Sequence, residues 1–110
     1  MSLLAGPPYS PGELAAIADF ATEMTRRSSR LQVVIEKLAR NLAADLEWEG
    51  KAADGFTTLL SAQIDKLKLA QAGASKARNA AQAGLAEAQR INREWVAAVR
   101  EYEQAMKEQG

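Results

Sequence analysis

The sequence predicts an all-α protein, a two-helix antiparallel hairpin that dimerises into a four-helix bundle. Three observations carry this expectation. All three prolines, Pro7, Pro8 and Pro11, lie at the start of the chain, so nothing later forbids continuous helix. The apolar residues, 47% of 110, include 23 alanines and only six aromatics, a composition that favours helix and packs thinly. Apolar positions then recur alternately three and four residues apart on both sides of residue 50, which is the 3.5-residue repeat of packed helices and not the period of a strand.

The elements follow in order. Residues 1–10 form a flexible N-terminal segment, and 11–110 form the hairpin. Ser10-Pro11-Gly12-Glu13 is a helix start: Ser10 can cap free amides, Pro11 suits the first helical position, and Glu13 completes a capping box. Helix 1 is placed at about 11–46, with its seam at Leu14, Ile17, Ala21, Met24, Ser28, Leu31, Ile35, Leu38, Leu42 and Asp45. The bend is placed at 47–50, because Gly50 falls where the heptad phase restarts. Helix 2 occupies about 51–107, with its seam at Ala53, Phe56, Leu60, Gln63, Leu67, Ala70, Ala74, Ala77, Ala81, Gly84, Ala88, Ile91, Trp95, Ala98, Tyr102 and Ala105.

A bend near residue 49 pairs residue i with residue 98 − i, which sets Leu14 against Gly84 and Ser28 against Ala70. Large side chains on helix 1 would then meet the alanines of 70–84, permitting close axes. Further apolar residues spill beyond this seam, at Phe20, Val34 and Leu46 in helix 1 and Leu59, Ile64, Leu85 and Val99 in helix 2. Stripes that broad are what a four-helix bundle needs, hence the expected second hairpin. Helix 2 also outruns helix 1, leaving Ile91, Trp95, Val96, Val99, Tyr102 and Met106 to be covered by Leu3–Tyr9, by a partner or by an export machine. Gly73 and Gly84 mark a close approach or a weak kink.

Composition removes most chemistries. With 14 basic and 14 acidic residues the chain is neutral, which argues against nucleic acid or an anionic membrane as partner. Arg26, Arg27 and Arg30 are bracketed by Glu23 and Glu36 and read as a solvated face. Cysteine and histidine are absent, so thiolate or imidazole metal sites and His-dependent catalysis have no residues to use. Asp45, Glu47, Glu49 and Asp54 lack the ligand spacing of a calcium loop. The expectation is a protein with no catalytic residues, no metal and no cofactor. No apolar run approaches the roughly 20 residues of a transmembrane helix, and Met1–Ser10 does not read as a cleavable signal.

Trp48-Glu49-Gly50-Lys51-Ala52-Ala53-Asp54-Gly55-Phe56, set between two long amphipathic helices, resembles the WXG family of small type VII secretion substrates, the early secretory antigenic target-like proteins. The resemblance covers about residues 10–105. It implies a helical hairpin whose bend is Trp48 and Gly50, with Ala53 and Phe56 forming the first packing turn of helix 2. It also implies antiparallel pairing, as a homodimer or with a second WXG-type hairpin, and a type VII secretion ATPase as export partner. One feature departs from the family. The export signal Tyr-x-x-x-Asp/Glu is unmatched, since Tyr102 is followed four residues on by Met106 and Trp95 by Val99. Either recognition is looser here or a partner chain supplies the signal; Trp95 and Tyr102 are the candidate contacts, with seam packing as their plainer role.

The expected function is therefore a non-catalytic secreted protein, made in the bacterial cytoplasm and exported without a signal peptide, acting as effector or escort. The alternatives are a cytoplasmic helical adaptor with a coincidental Trp-x-Gly, or a hairpin that inserts amphipathically into membranes.

Overall fold

A computed structural model of the chain describes residues 6–45 and 51–109, with side-chain surroundings over 6–42 and 54–109. The described residues form two α-helices, α1 (Pro11–Asp45) and α2 (Lys51–Gln109), and include no strand. The protein is all-α and of helical-hairpin type.

Local chemistry starts α1. The Ser10 hydroxyl accepts the Glu13 N–H at 3.1 Å, and the Glu13 carboxylate accepts the Ser10 N–H at 3.4 Å. The Ser10 carbonyl takes the first helical bond, from the Leu14 N–H at 3.1 Å. Both arms of a capping box are thus made, with Pro11 where no amide is needed. Upstream, Gly6 has φ +87°, a left-handed value that glycine enters without strain, and it turns the chain into Pro7-Pro8. Asp54 in the first turn of α2 and Lys107 in its last turn complement the helix dipole.

The chain divides into two compact units. One comprises Thr22–Arg78; the other comprises Met1–Ala21 with Asn79–Gly110. The core of the first is Ile35, Leu60 and Ile64, against which Leu38, Leu42 and Leu67 pack. Beside this hydrocarbon lies a polar layer. The Ser28 and Ser75 hydroxyls share a hydrogen bond of 3.2 Å, and the Gln71 side-chain amide donates to the Ser28 carbonyl at 3.4 Å and to the Gln32 amide oxygen at 2.7 Å. Partner numbers fall along α2 as they rise along α1, so the helices run antiparallel here. In the other unit Ala21 and Ala88 are buried, Ala88 being only 2% exposed.

The seam of α1 lies where the heptad places it: Leu14, Ile17, Ala21, Met24, Ser28, Leu31, Ile35, Leu38 and Leu42 are all buried or half-buried. The seam of α2 needs a correction. It runs Thr57, Leu60, Ile64, Leu67, Gln71, Ala74, Arg78, Ala81, Leu85, Ala88, Asn92, Trp95, Val99, every one buried or half-buried. Between 60 and 98 every second expected position is therefore one residue early: Gln63, Ala70 and Gly84 are exposed, and Ala77, Ile91 and Ala98 are half-buried flanks. The two phases share Leu60, Leu67, Ala74, Ala81, Ala88 and Trp95. At the remaining positions the true residues are three apolar ones, Ile64, Leu85 and Val99, alternating with three polar ones, Gln71, Arg78 and Asn92, whereas the expected set had alanine at 70, 77 and 98.

Two expectations fall with that phase. Ser28 bonds Gln71 and Ser75 and not Ala70, while Gly84 is exposed and so does not face Leu14. Ile64, Leu85 and Val99 belong to the hairpin's own seam and demand no second hairpin. Nor do the helical glycines mark a close approach, because a Cβ built at Gly73 or Gly84 meets nothing within 4 Å. Gly73→Ala and Gly84→Ala should each raise stability by about 0.5–1 kcal/mol through helix propensity alone. Urea denaturation checks this, and a loss of stability at either site would mean that its backbone is crowded.

Candidate functional site

The expected site residues are distributed unevenly over the described part. Trp48 and Gly50 lie outside the described residues, and so do Glu47 and Glu49 of the acidic group Asp45, Glu47, Glu49 and Asp54. Ala53 lies in α2, with its side chain outside the described surroundings. Phe56, one turn on, is 43% exposed and takes part in an interaction. Elsewhere in the same unit Val33, Val34, Leu59 and Leu69 are exposed, Leu69 to 75%. Leu59 and Val34 flank the seam, whereas Val33 and Leu69 point away from it.

In the other unit the stripe expected to lack cover is partly covered. Tyr9 is held on α2 by the Asn92 side-chain amide, which accepts the Tyr9 N–H at 3.0 Å and donates to the Tyr9 carbonyl at 2.8 Å. A primary amide can satisfy a backbone donor and acceptor at once, so asparagine suits a helix that must hold an extended strap. Sequence reasoning missed Asn92; the available signal was a polar residue on the seam phase. Ile91, Trp95 and Val99 are half-buried here, while Val96, Tyr102 and Met106 remain exposed, Tyr102 to 50%.

Trp95 and Tyr102 are thus unlike each other. The Trp95 indole nitrogen is buried without a hydrogen-bond partner, so its one polar group is turned into the protein. An orphaned buried donor costs about 1–3 kcal/mol. Trp95→Phe should accordingly stay within about 1 kcal/mol of the native stability, the smaller ring being offset by removal of that donor. A loss of about 3 kcal/mol or more in thermal or urea denaturation would show that the N–H is paired.

Charges on this part of α2 are arranged in two ways. Arg90 binds both Glu87 and Glu94, one turn to either side. The hydrogen bond from Arg90, with its charge, holds the Glu87 carboxyl below the ordinary glutamate range, and the two carboxylates keep the guanidinium more firmly protonated. The sign follows from a depressed carboxyl: whatever Glu87 contributes is present at neutral pH and fades as pH falls through its lowered pKa. Arg93, one turn on, and Arg100, a heptad beyond Arg93, form no ion pair among the described residues. On α1 the basic cluster is dispersed: Arg27 pairs with Glu23 at 3.7 Å, and Ser28 is turned into the seam.

Among the described residues no three or more acidic, His or Cys side chains gather where they could hold a metal ion. Among the described residues, too, no helix is long and apolar enough to cross a membrane. Fold and surfaces together define a class, a helical hairpin that presents apolar side chains on its outer faces. No family model matches the chain, and no curated protein and no solved structure matches it.

Proposed function

We propose that this chain is a WXG-type secreted hairpin, non-catalytic, exported by a type VII system and acting through protein–protein contact as effector or escort. The observation that carries the reading is positional. Trp48-Glu49-Gly50 falls between the end of α1 at Asp45 and the start of α2 at Lys51, where a hairpin of that type has its bend. Pairing with a second hairpin, of this chain or of another, rests now on fewer residues than the sequence suggested. It rests on Val34, Phe56 and Leu59 in one unit, and on Phe20 in the other, all exposed and all large. Apolar side chains of that size on outer faces favour burial against a partner.

Export is tested directly. A tagged copy in its own bacterium should accumulate in the culture filtrate and disappear from it when the secretion ATPase is deleted. Retention in the cytoplasm of an export-competent strain would support the adaptor instead. Pairing is tested by light scattering at tens of micromolar. The mass of a dimer is expected for the chain alone or for the chain coexpressed with a neighbouring short helical gene product, and a monomer under both conditions would remove the pairing.

A further inference from the structure

An open cavity of about 370 Å³ lies on α2, lined by Asn92, Arg93, Val96, Ala97 and Arg100. That spacing is one face of a helix. Arg93 and Arg100 are a heptad apart, which at 1.5 Å per residue separates them by about 10 Å along the axis. Val96 and Ala97 form the floor between them, both exposed. No acidic residue lines the cavity, and neither arginine is ion-paired among the described residues. The contrast with Arg90 is close at hand, since that guanidinium is taken by Glu87 and Glu94 on its own helix. Four residues to either side of Arg93 stand neutral Gln89 and Ala97, three before it stands Arg90, whose charge is taken by Glu87 and Glu94, and Glu103 one turn beyond Arg100 is unpaired with it. The groove is therefore cationic at both ends and apolar between, on a chain that is neutral overall.

We propose that this groove docks an acidic amphipathic helix of a partner protein. Two carboxylates a heptad apart on that helix engage Arg93 and Arg100, and an apolar side chain between them seats on Val96 and Ala97. The complementary pattern is Glu-x-x-Leu-x-x-x-Glu, because the guanidinium fork binds a carboxylate through two parallel hydrogen bonds and the apolar step buries hydrocarbon on both sides. Two cations around an apolar floor suit a peptide better than a polyanion, which gains affinity by neutralising many phosphates. Asn92 edges the groove with its amide already committed to Tyr9, leaving recognition to the arginines. This goes beyond the export reading and does not depend on it, since that reading rests on Trp48–Gly50 and on other apolar side chains.

The test uses the full chain, isotope-labelled, titrated at low salt with a synthetic alanine-based helical peptide carrying a single Glu-Ala-Ala-Leu-Ala-Ala-Ala-Glu stretch. Amide shifts should centre on Arg93, Val96, Ala97 and Arg100. The double variant R93Q/R100Q, whose changed side chains are exposed and whose helicity is checked by circular dichroism, should bind about fivefold or more weakly. The peptide with both glutamates replaced by glutamine should lose as much. Shifts centred elsewhere, or an affinity that R93Q/R100Q leaves unchanged, overturn the proposal. So does arginine-dependent binding to phosphatidylserine–phosphatidylcholine vesicles in place of the peptide. The mass of the chain in the same samples reports on pairing alone, which keeps the two readings separable.

Discussion

Ile64→Ala is expected to lower stability by about 2–5 kcal/mol, while Gln63→Ala next to it stays within about 0.5 kcal/mol of the native value. The difference follows from placement. Ile64 is buried with Ile35 and Leu60, and Leu38, Leu42 and Leu67 pack on that cluster, so truncation leaves a cavity lined by branched side chains that cannot collapse freely. Gln63 is exposed. A domain of this size is stable by only about 5–15 kcal/mol, so the truncation consumes much of what there is. Ile64→Val, expected to cost about 0.5–1.5 kcal/mol, keeps the comparison measurable if the alanine variant does not fold. Urea denaturation of the three variants reads the seam directly: equal losses at 63 and 64 would return α2 to the phase expected from the sequence.

Ala88→Leu is the second large effect, expected to cost about 1–3 kcal/mol or more by overpacking. Ala88 is 2% exposed, and the extra carbon atoms have no room without displacing neighbours. Its natural control is Ala83→Leu on the same helix, which is exposed and should change stability by no more than about 0.5 kcal/mol. Should Ala88→Leu melt at the native temperature, the two helices would be farther apart at that level than the burial of Ala88 requires.

Much of the fold could be read from the chain before any coordinates. The capping box at Ser10 and Glu13, the seam of α1 and the absence of strands among the described residues all follow from local rules that tertiary packing did not override. The seam of α2 was legible at every second position and no further. A heptad is recognised by the contrast between its apolar and polar members, and α2 has little contrast: alanine occupies seam, flank and exposed face alike. The true phase alternates apolar Ile64, Leu85 and Val99 with polar Gln71, Arg78 and Asn92, and the hydrogen bonds by which Gln71 and Asn92 hold their places are made to another part of the chain and leave no mark in a one-dimensional pattern. Of the candidate site, Trp95 and Tyr102 lie on described helix, with one polar group turned inward and one ring half exposed. The groove between Arg93 and Arg100 was missed because two arginines in a neutral chain look ordinary until their neighbours are seen to leave them unpaired.

The hydroxyl and amide layer at Ser28, Gln32, Gln71 and Ser75 has a consequence for how the two helices keep their alignment. Hydrocarbon against hydrocarbon is nearly indifferent to sliding by a whole heptad, because leucine meets leucine again after seven residues. Donors and acceptors are not indifferent: displaced by seven residues, Gln71 would face neither the Ser28 carbonyl nor the Gln32 amide, and half-buried polar groups would go without partners. Four small polar side chains thus act as a detent, locking one offset among several that greasy contact alone would accept.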